Sequence, residues 1–175
     1  MIFNDSEITW NFYGKEYKYF DKGIRNVVLK KKYIYFYTYN SDSKVYTHTY
    51  ITLTGLLIIT FHEVSDYITI LDKQQREINI KLQSLRDVNT NGSYIFIIAE
   101  SFPNERLIKY SVNGDKLKEY LPPANYNFVR FFDLPESDTE LKVVCAGEAD
   151  SYGRYEWSFS LNLETGVWTK LSLAY

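Results

Sequence analysis

The stretch 93–121, SYIFIIAESFPNERLIKYSVNGDKLKEYL, constrains the fold more than any other part of the chain. Tyr94 to Ala99 is an unbroken apolar run rich in β-formers and too short to span a bilayer. Phe102-Pro103-Asn104-Glu105 breaks it, and Arg106 to Val112 reads as a second strand. Asn113-Gly114 then signals a hairpin, because both residue types accept the positive φ of a type I′ turn. Lys116 to Leu121 is the third strand, and Pro122-Pro123 stops it.

The pattern recurs. Leu56 to Leu82 repeats the order of apolar strand, polar break, second strand, turn and alternating third strand. A third copy runs through Leu141 to Ala146, Tyr155 to Leu163, the Glu164-Thr165-Gly166 turn and Val167 to Leu173. Gly55 and Gly92 precede the first two copies, and a candidate first strand precedes each glycine. Phe128 to Phe132 takes that place in the third copy. The opening segment supplies a hairpin turning at Tyr13-Gly14, then strands at Ile24 to Leu29 and Tyr33 to Tyr39, a turn at Asn40 to Ser43, and a strand from Val45 to Leu53. The expected units are therefore about 8–40, 46–82, 83–121 and 126–173, each of four antiparallel strands.

Composition agrees with an all-β chain. Aromatic residues make up 18% of the 175 residues, with 17 Tyr and 11 Phe, and such side chains suit a pleated, half-buried surface. A chain of this length fits one domain and buries a core without staples. Units of about 40 residues with four strands each are the pattern of β-propeller blades. In this periodicity the chain resembles the β-propeller family. The resemblance covers most of the sequence and implies a small or incomplete propeller, although no WD dipeptide or kelch di-glycine marks the units. A twisted β-meander or sandwich built from the same hairpins is the alternative.

Several function classes lose support. Net charge is −2, so no global field favours nucleic acid. The N-terminus has neither the basic segment nor the apolar run of a signal peptide, and no stretch is long enough for a membrane helix. The expectation is a cytoplasmic protein. Cys145, the single cysteine, sits in an apolar run and reads as a buried, unreactive thiol. His48 and His62 stand at no metal-ligating spacing. Asn91-Gly92-Ser93 matches a glycosylation sequon but reads as a turn. With no nucleophile elbow, phosphate loop, dinucleotide fingerprint or calcium loop in the sequence, neither catalysis nor a cofactor nor a metal is expected.

What remains is charge and aromatic placement. Residues 133–156 hold seven acids (Asp133, Glu136, Asp138, Glu140, Glu148, Asp150, Glu156) against two bases, Lys142 and Arg154. These acids flank one predicted strand and are expected to share one end of the last unit, beside Tyr152, Tyr155 and Trp157. A solvated acidic surface is the plain reading. The functional one is a partner-binding face made of Asp133, Glu136, Asp138, Glu140, Glu148, Asp150, Tyr152, Tyr155 and Trp157, with aromatic anchors inside a charged rim. Small, soluble, aromatic-rich β proteins with an acidic face resemble the immunity proteins of bacterial toxin systems. That resemblance is one of general type and carries no residue over. It implies a protein partner, a basic toxin domain such as a nuclease, whose cleft the acidic loops would block. A carbohydrate- or small-ligand-binding propeller with Tyr and Trp as stacking platforms ranks next, and a hydrolase with a carboxylate pair last.

Overall fold

The computed structural model of the chain describes residues 1–62, 67–71, 74–101, 104–132 and 137–174. Among them there is no helix, and strands joined mostly by tight turns form four antiparallel sheets. The all-β expectation therefore holds. Among the described residues no helix is long and apolar enough to cross a membrane. Contacts divide the chain into two compact units, one of residues 1–81 with 112–114, the other of residues 82–111 with 115–175.

The first unit carries two sheets. Strands β1 (Ile2–Phe3), β2 (Glu7–Phe12) and β3 (Lys15–Phe20) form the smaller one. Tyr13 and Gly14 turn β2 into β3 with φ of 49° and 75°, the two positive values a type I′ turn requires. The larger sheet runs in chain order through β4 (Ile24–Leu29), β5 (Tyr33–Asn40), β6 (Val45–Thr52), β7 (Leu57–His62), β8 (Tyr67–Leu71) and β9 (Glu77–Lys81). This corrects the division into units at 8–40 and 46–82. The break between sheets falls at residues 21–23, not at 41–44. Asn40 Oδ1 accepts the N–H groups of Asp42 and Ser43 at 2.9 and 3.1 Å, and the resulting tight turn keeps β5 paired with β6 down to Asn40 and Val45. The core of this unit gathers Ile8, Trp10, Ile24, Ile34, Phe36 and Ile51. The opposite face of β5 and β6 carries a ladder of rings: Tyr39 lies 4.8 Å from Tyr46, and Tyr35 lies 4.8 Å from Tyr50. His48 belongs to that ladder, stacked on Phe61 with its Nδ1 2.8 Å from the Tyr35 hydroxyl.

The second unit holds two four-stranded meanders with the boundaries the repeat predicts. The first comprises β10 (Gln83–Thr90), β11 (Tyr94–Ser101), β12 (Asn104–Ser111) and β13 (Lys116–Tyr120). The second comprises β14 (Asn127–Phe131), β15 (Glu140–Ala146), β16 (Glu156–Asn162) and β17 (Trp168–Leu173). Phe96, Ile98, Leu107 and Tyr120 from the first meander meet Phe128, Val143, Cys145, Phe159 and Leu161 from the second in one core. Burying a large apolar side chain there contributes roughly 2–3 kcal/mol. Ile95 to Ala99 is buried on both faces of β11, which accounts for its unbroken apolar run. One turn differs in kind from expectation. At Asn113-Gly114 only Gly114 has positive φ, 85°, and Ser111 N donates to Asp115 O at 2.8 Å across a three-residue loop. That is the bulged turn, not the two-residue type I′ form. The hairpins at residues 13–14, 112–114 and 163–166 each join the last two strands of their sheets. Lys73 of the remaining predicted turn lies outside the described residues.

Candidate functional site

Strand β15 separates the predicted site residues. In an antiparallel meander the loop entering a strand and the loop leaving it lie at opposite ends. Glu140 pairs with Asn162 at one end of β15, and Ala146 pairs with Glu156 at the other. Seven residues at ~3.3 Å rise place these ends roughly 20 Å apart. The expectation that all the acids share one end is therefore corrected. Asp138 and Glu140 belong to one end. Glu148, Asp150, Tyr152, Tyr155 and Trp157 belong to the other. Asp133 and Glu136 lie outside the described residues.

At the Asp138 end, carboxylates serve the loop. The Asp138 carboxylate and the Ser137 carbonyl accept the Asn91 side-chain amide at 2.8 and 2.9 Å. Asn91 itself is buried in the β10–β11 turn, so its amide is committed to the fold, in line with the turn reading of the sequon. Glu140 accepts the Ser160 hydroxyl at 2.7 Å.

The other end is aromatic and more firmly built. Asp150 organises the 147–155 loop. Its Oδ1 accepts the N–H groups of Tyr152 and Arg154 at 2.8 and 3.0 Å, and its Oδ2 pairs with the Arg154 guanidinium at 2.7 Å. These bonds hold the Asp150 carboxyl below the usual carboxylate range, the Arg154 side chain contributing most. The Asp150 N–H donates to the Arg154 carbonyl, and Gly147 N–H donates to the Tyr155 carbonyl at 3.0 Å, closing the base of the loop. Arg154 lies over the Tyr152 ring. The outcome is a fixed loop that leaves Tyr152 82% and Tyr155 55% exposed. Two of the acids at this end are neutralised in ion pairs, Asp150 by Arg154 and Glu156 by Arg130. Glu148 remains exposed.

Trp157 plays a different part from Tyr152 and Tyr155. It is half-buried against the core, with Lys170 Nζ 3.4 Å from its ring centroid. Its indole N–H is buried without a hydrogen-bond partner among the described residues. Lys170 also donates to the Tyr126 hydroxyl at 2.9 Å. Tyr126 in turn packs edge-on against Phe159 and flush with Gly147, where a Cβ would stand 2.5 Å from its ring. Sequence reasoning missed this Tyr126–Lys170–Trp157 stack. The signal it could have used is PPANYN at 122–127, a double proline followed by a polar turn into a strand.

The first strand of this sheet, β14, is an edge strand, and two carboxylates of the other meander bind its outward N–H groups. Glu105 accepts from Phe128 N at 2.6 Å while pairing with Arg86 at 2.8 Å, and Arg86 donates to the Phe128 carbonyl at 2.7 Å. Asp87 accepts from Phe131 N at 2.7 Å and Val88 N at 2.9 Å. Burial pushes the Asp87 carboxyl up to about 6 despite these bonds. Between Asn104, Glu105 and the 121–127 connection lies a shallow cleft of about 660 Å³. Cys145 is buried beneath β14, and burial pushes its thiol up to about 12. Among the described residues no three His, Cys, Asp or Glu side chains gather to hold a metal ion. No known family model matches the chain, and no curated protein is similar to it.

Proposed function

We propose that the protein is a protein-binding module of the general type of bacterial toxin-system immunity proteins, and that it engages its partner through the 147–155 loop. The observation that carries this reading is the exposure of Tyr152 and Tyr155 on a loop locked by the Asp150 hydrogen bonds. Tyrosines held in place before contact bind without a large ordering cost, and aromatic anchors of this kind dominate interface energies. Glu148 supplies the acidic group beside them. A basic toxin domain, such as a nuclease, is the partner class this combination fits, and neutralisation inside the producing cell would place the protein in the cytoplasm. Asp138 and Glu140 lie roughly 20 Å away along β15, beyond the ~8 Å over which exposed charges act at physiological salt. They tune association rather than hold the anchors.

The test is a binding titration against the product of the adjacent reading frame. Replacing Tyr152 and Tyr155 by Ala is expected to weaken binding by ~2 kcal/mol or more with the fold unchanged. Undiminished affinity in that variant would remove the loop as the binding site.

A further inference from the structure

We propose that the cleft at 121–127 is a binding site for a neutral saccharide, separate from the protein-binding loop. It is lined by Asn104, Glu105, Asn125, Tyr126 and Asn127, with Leu121, Pro122, Pro123 and Ala124 as apolar walls. Its volume of about 660 Å³ lies within the ~300–1,000 Å³ of small-ligand sites. Most such sites are apolar with a few polar groups; three asparagines and a glutamate line this one.

The polar groups are of one kind. Asn104, Asn125 and Asn127 are all exposed, and their side-chain amides make no hydrogen bond to another described residue. Each amide offers an acceptor oxygen and two N–H donors. A pair of neighbouring hydroxyls on a pyranose offers the complementary set, because each hydroxyl both donates and accepts. The apolar walls match the C–H faces of the sugar ring. Charge is absent as a selector. Glu105, the charged residue of the lining, is held by Arg86 and the Phe128 N–H. An uncharged polyol satisfies this lining; a phosphate or carboxylate finds no unpaired cation in it.

The walls are fixed before any ligand arrives. Asn125 sits at φ 68°, and Tyr126 N donates to Pro123 O at 3.0 Å, closing the turn. Tyr126 is clamped by Gly147, Phe159 and Lys170. A preformed cleft spends little affinity on ordering its own residues.

The experiment uses the full chain on an array of neutral and anionic glycans, followed by an amide NMR titration with the best neutral oligosaccharide. Binding among neutral glycans, with shifts centred on the side-chain amides of Asn104, Asn125 and Asn127, is expected. The combined variant Asn104→Ala, Asn125→Gly, Asn127→Ala removes the amides and keeps the positive φ at 125 available. It should lose roughly tenfold or more in affinity with unchanged near-ultraviolet circular dichroism. A second variant, Gly147→Ala, leaves every amide in place but forces the Tyr126 ring to move and should also weaken binding. No glycan binding, binding only to sulfated or sialylated glycans, or full affinity in the folded amide variant would each overturn the proposal. So would loss of protein-partner binding in the amide variant without any sugar-induced shift, which would make the cleft part of the protein interface. The Tyr152 and Tyr155 variants leave sugar binding intact if the two sites are separate.

Discussion

The two ends of the β14–β17 sheet are built from similar sequence and do different work. One end, at Asp138 and Glu140, spends its carboxylates on an asparagine amide and a serine hydroxyl. The other end spends Asp150 on locking a loop, and the loop then presents two tyrosines to solvent. Strand β14 repeats the contrast. Near the aromatic end its Phe128 N–H is bound by Glu105, which is paired with Arg86; near the acidic end its Phe131 N–H is bound by Asp87, whose carboxyl burial pushes up to about 6. The difference shows that a run of acids in sequence is not an acidic face. Where a carboxylate finds backbone donors and an arginine it becomes scaffold, and the groups it positions are the ones left facing solvent.

Glu105→Ala is the substitution expected to break this arrangement most severely. It takes from Arg86 the closer of its two carboxylate partners, leaving Glu100, and leaves the Phe128 N–H without its acceptor. A loss of about 3 kcal/mol is expected by denaturant titration, because removing one partner costs more than the pair contributes. An unchanged midpoint would show that β14 does not depend on this tether.

The acidic end should differ by its pH dependence. The Asp87 carboxyl is raised in the folded state to about 6 from an ordinary value near 3.8. The folded state then holds the proton more tightly than the unfolded chain. Its contribution to stability is fully present below about 3.8 and is lost as pH rises through about 6. The expected swing is on the order of 3 kcal/mol. In Asp87→Asn, thermal melts between these pH values should lose that slope while other titrations persist. A parallel pH profile in the variant would contradict the assignment.

Cys145 lies in the core near the aromatic end, paired across the sheet with Trp157 and Phe128. Cys145→Ser buries a hydroxyl in an apolar core, where it must find a hydrogen-bond partner, and should cost about 2 kcal/mol. Native protein should resist thiol reagents at neutral pH, since burial pushes the thiol up to about 12. Rapid labelling of the folded protein would refute the burial.

Much of this architecture is legible in the sequence, for local reasons. Tyr13-Gly14, Gly92 and Gly166 mark turns because the backbone there needs positive φ. The apolar run at Tyr94 to Ala99 marks a strand covered on both faces. The two meanders of the second unit follow from these signals alone. The sheet boundary in the first unit does not, because Asp21-Lys22-Gly23 and Asn40 to Ser43 look alike as turns, and only pairing tells a hairpin from a crossover. The candidate site was half legible. Exposed Tyr152 and Tyr155 lie in a polar loop that sequence reading singles out. The Tyr126–Lys170–Trp157 stack joins residues far apart in the chain; PPANYN marks the turn that places Tyr126, but no local pattern names Lys170 and Trp157 as its partners.

The measurement that tests the central claim most directly compares the two ends in one binding experiment. Association and dissociation rates with the product of the adjacent reading frame, the proposed partner, would be recorded at low and high salt for Tyr152→Ala/Tyr155→Ala and for Asp138→Lys/Glu140→Lys. The tyrosine variant should dissociate roughly 30-fold faster or more, corresponding to the ~2 kcal/mol of an aromatic anchor, with little change in salt dependence. The charge-reversed variant should dissociate at the parental rate and differ only modestly in association at low salt. Faster dissociation from the charge reversal, with the tyrosine variant binding as the parent does, would place the interface at the acidic end and contradict the account.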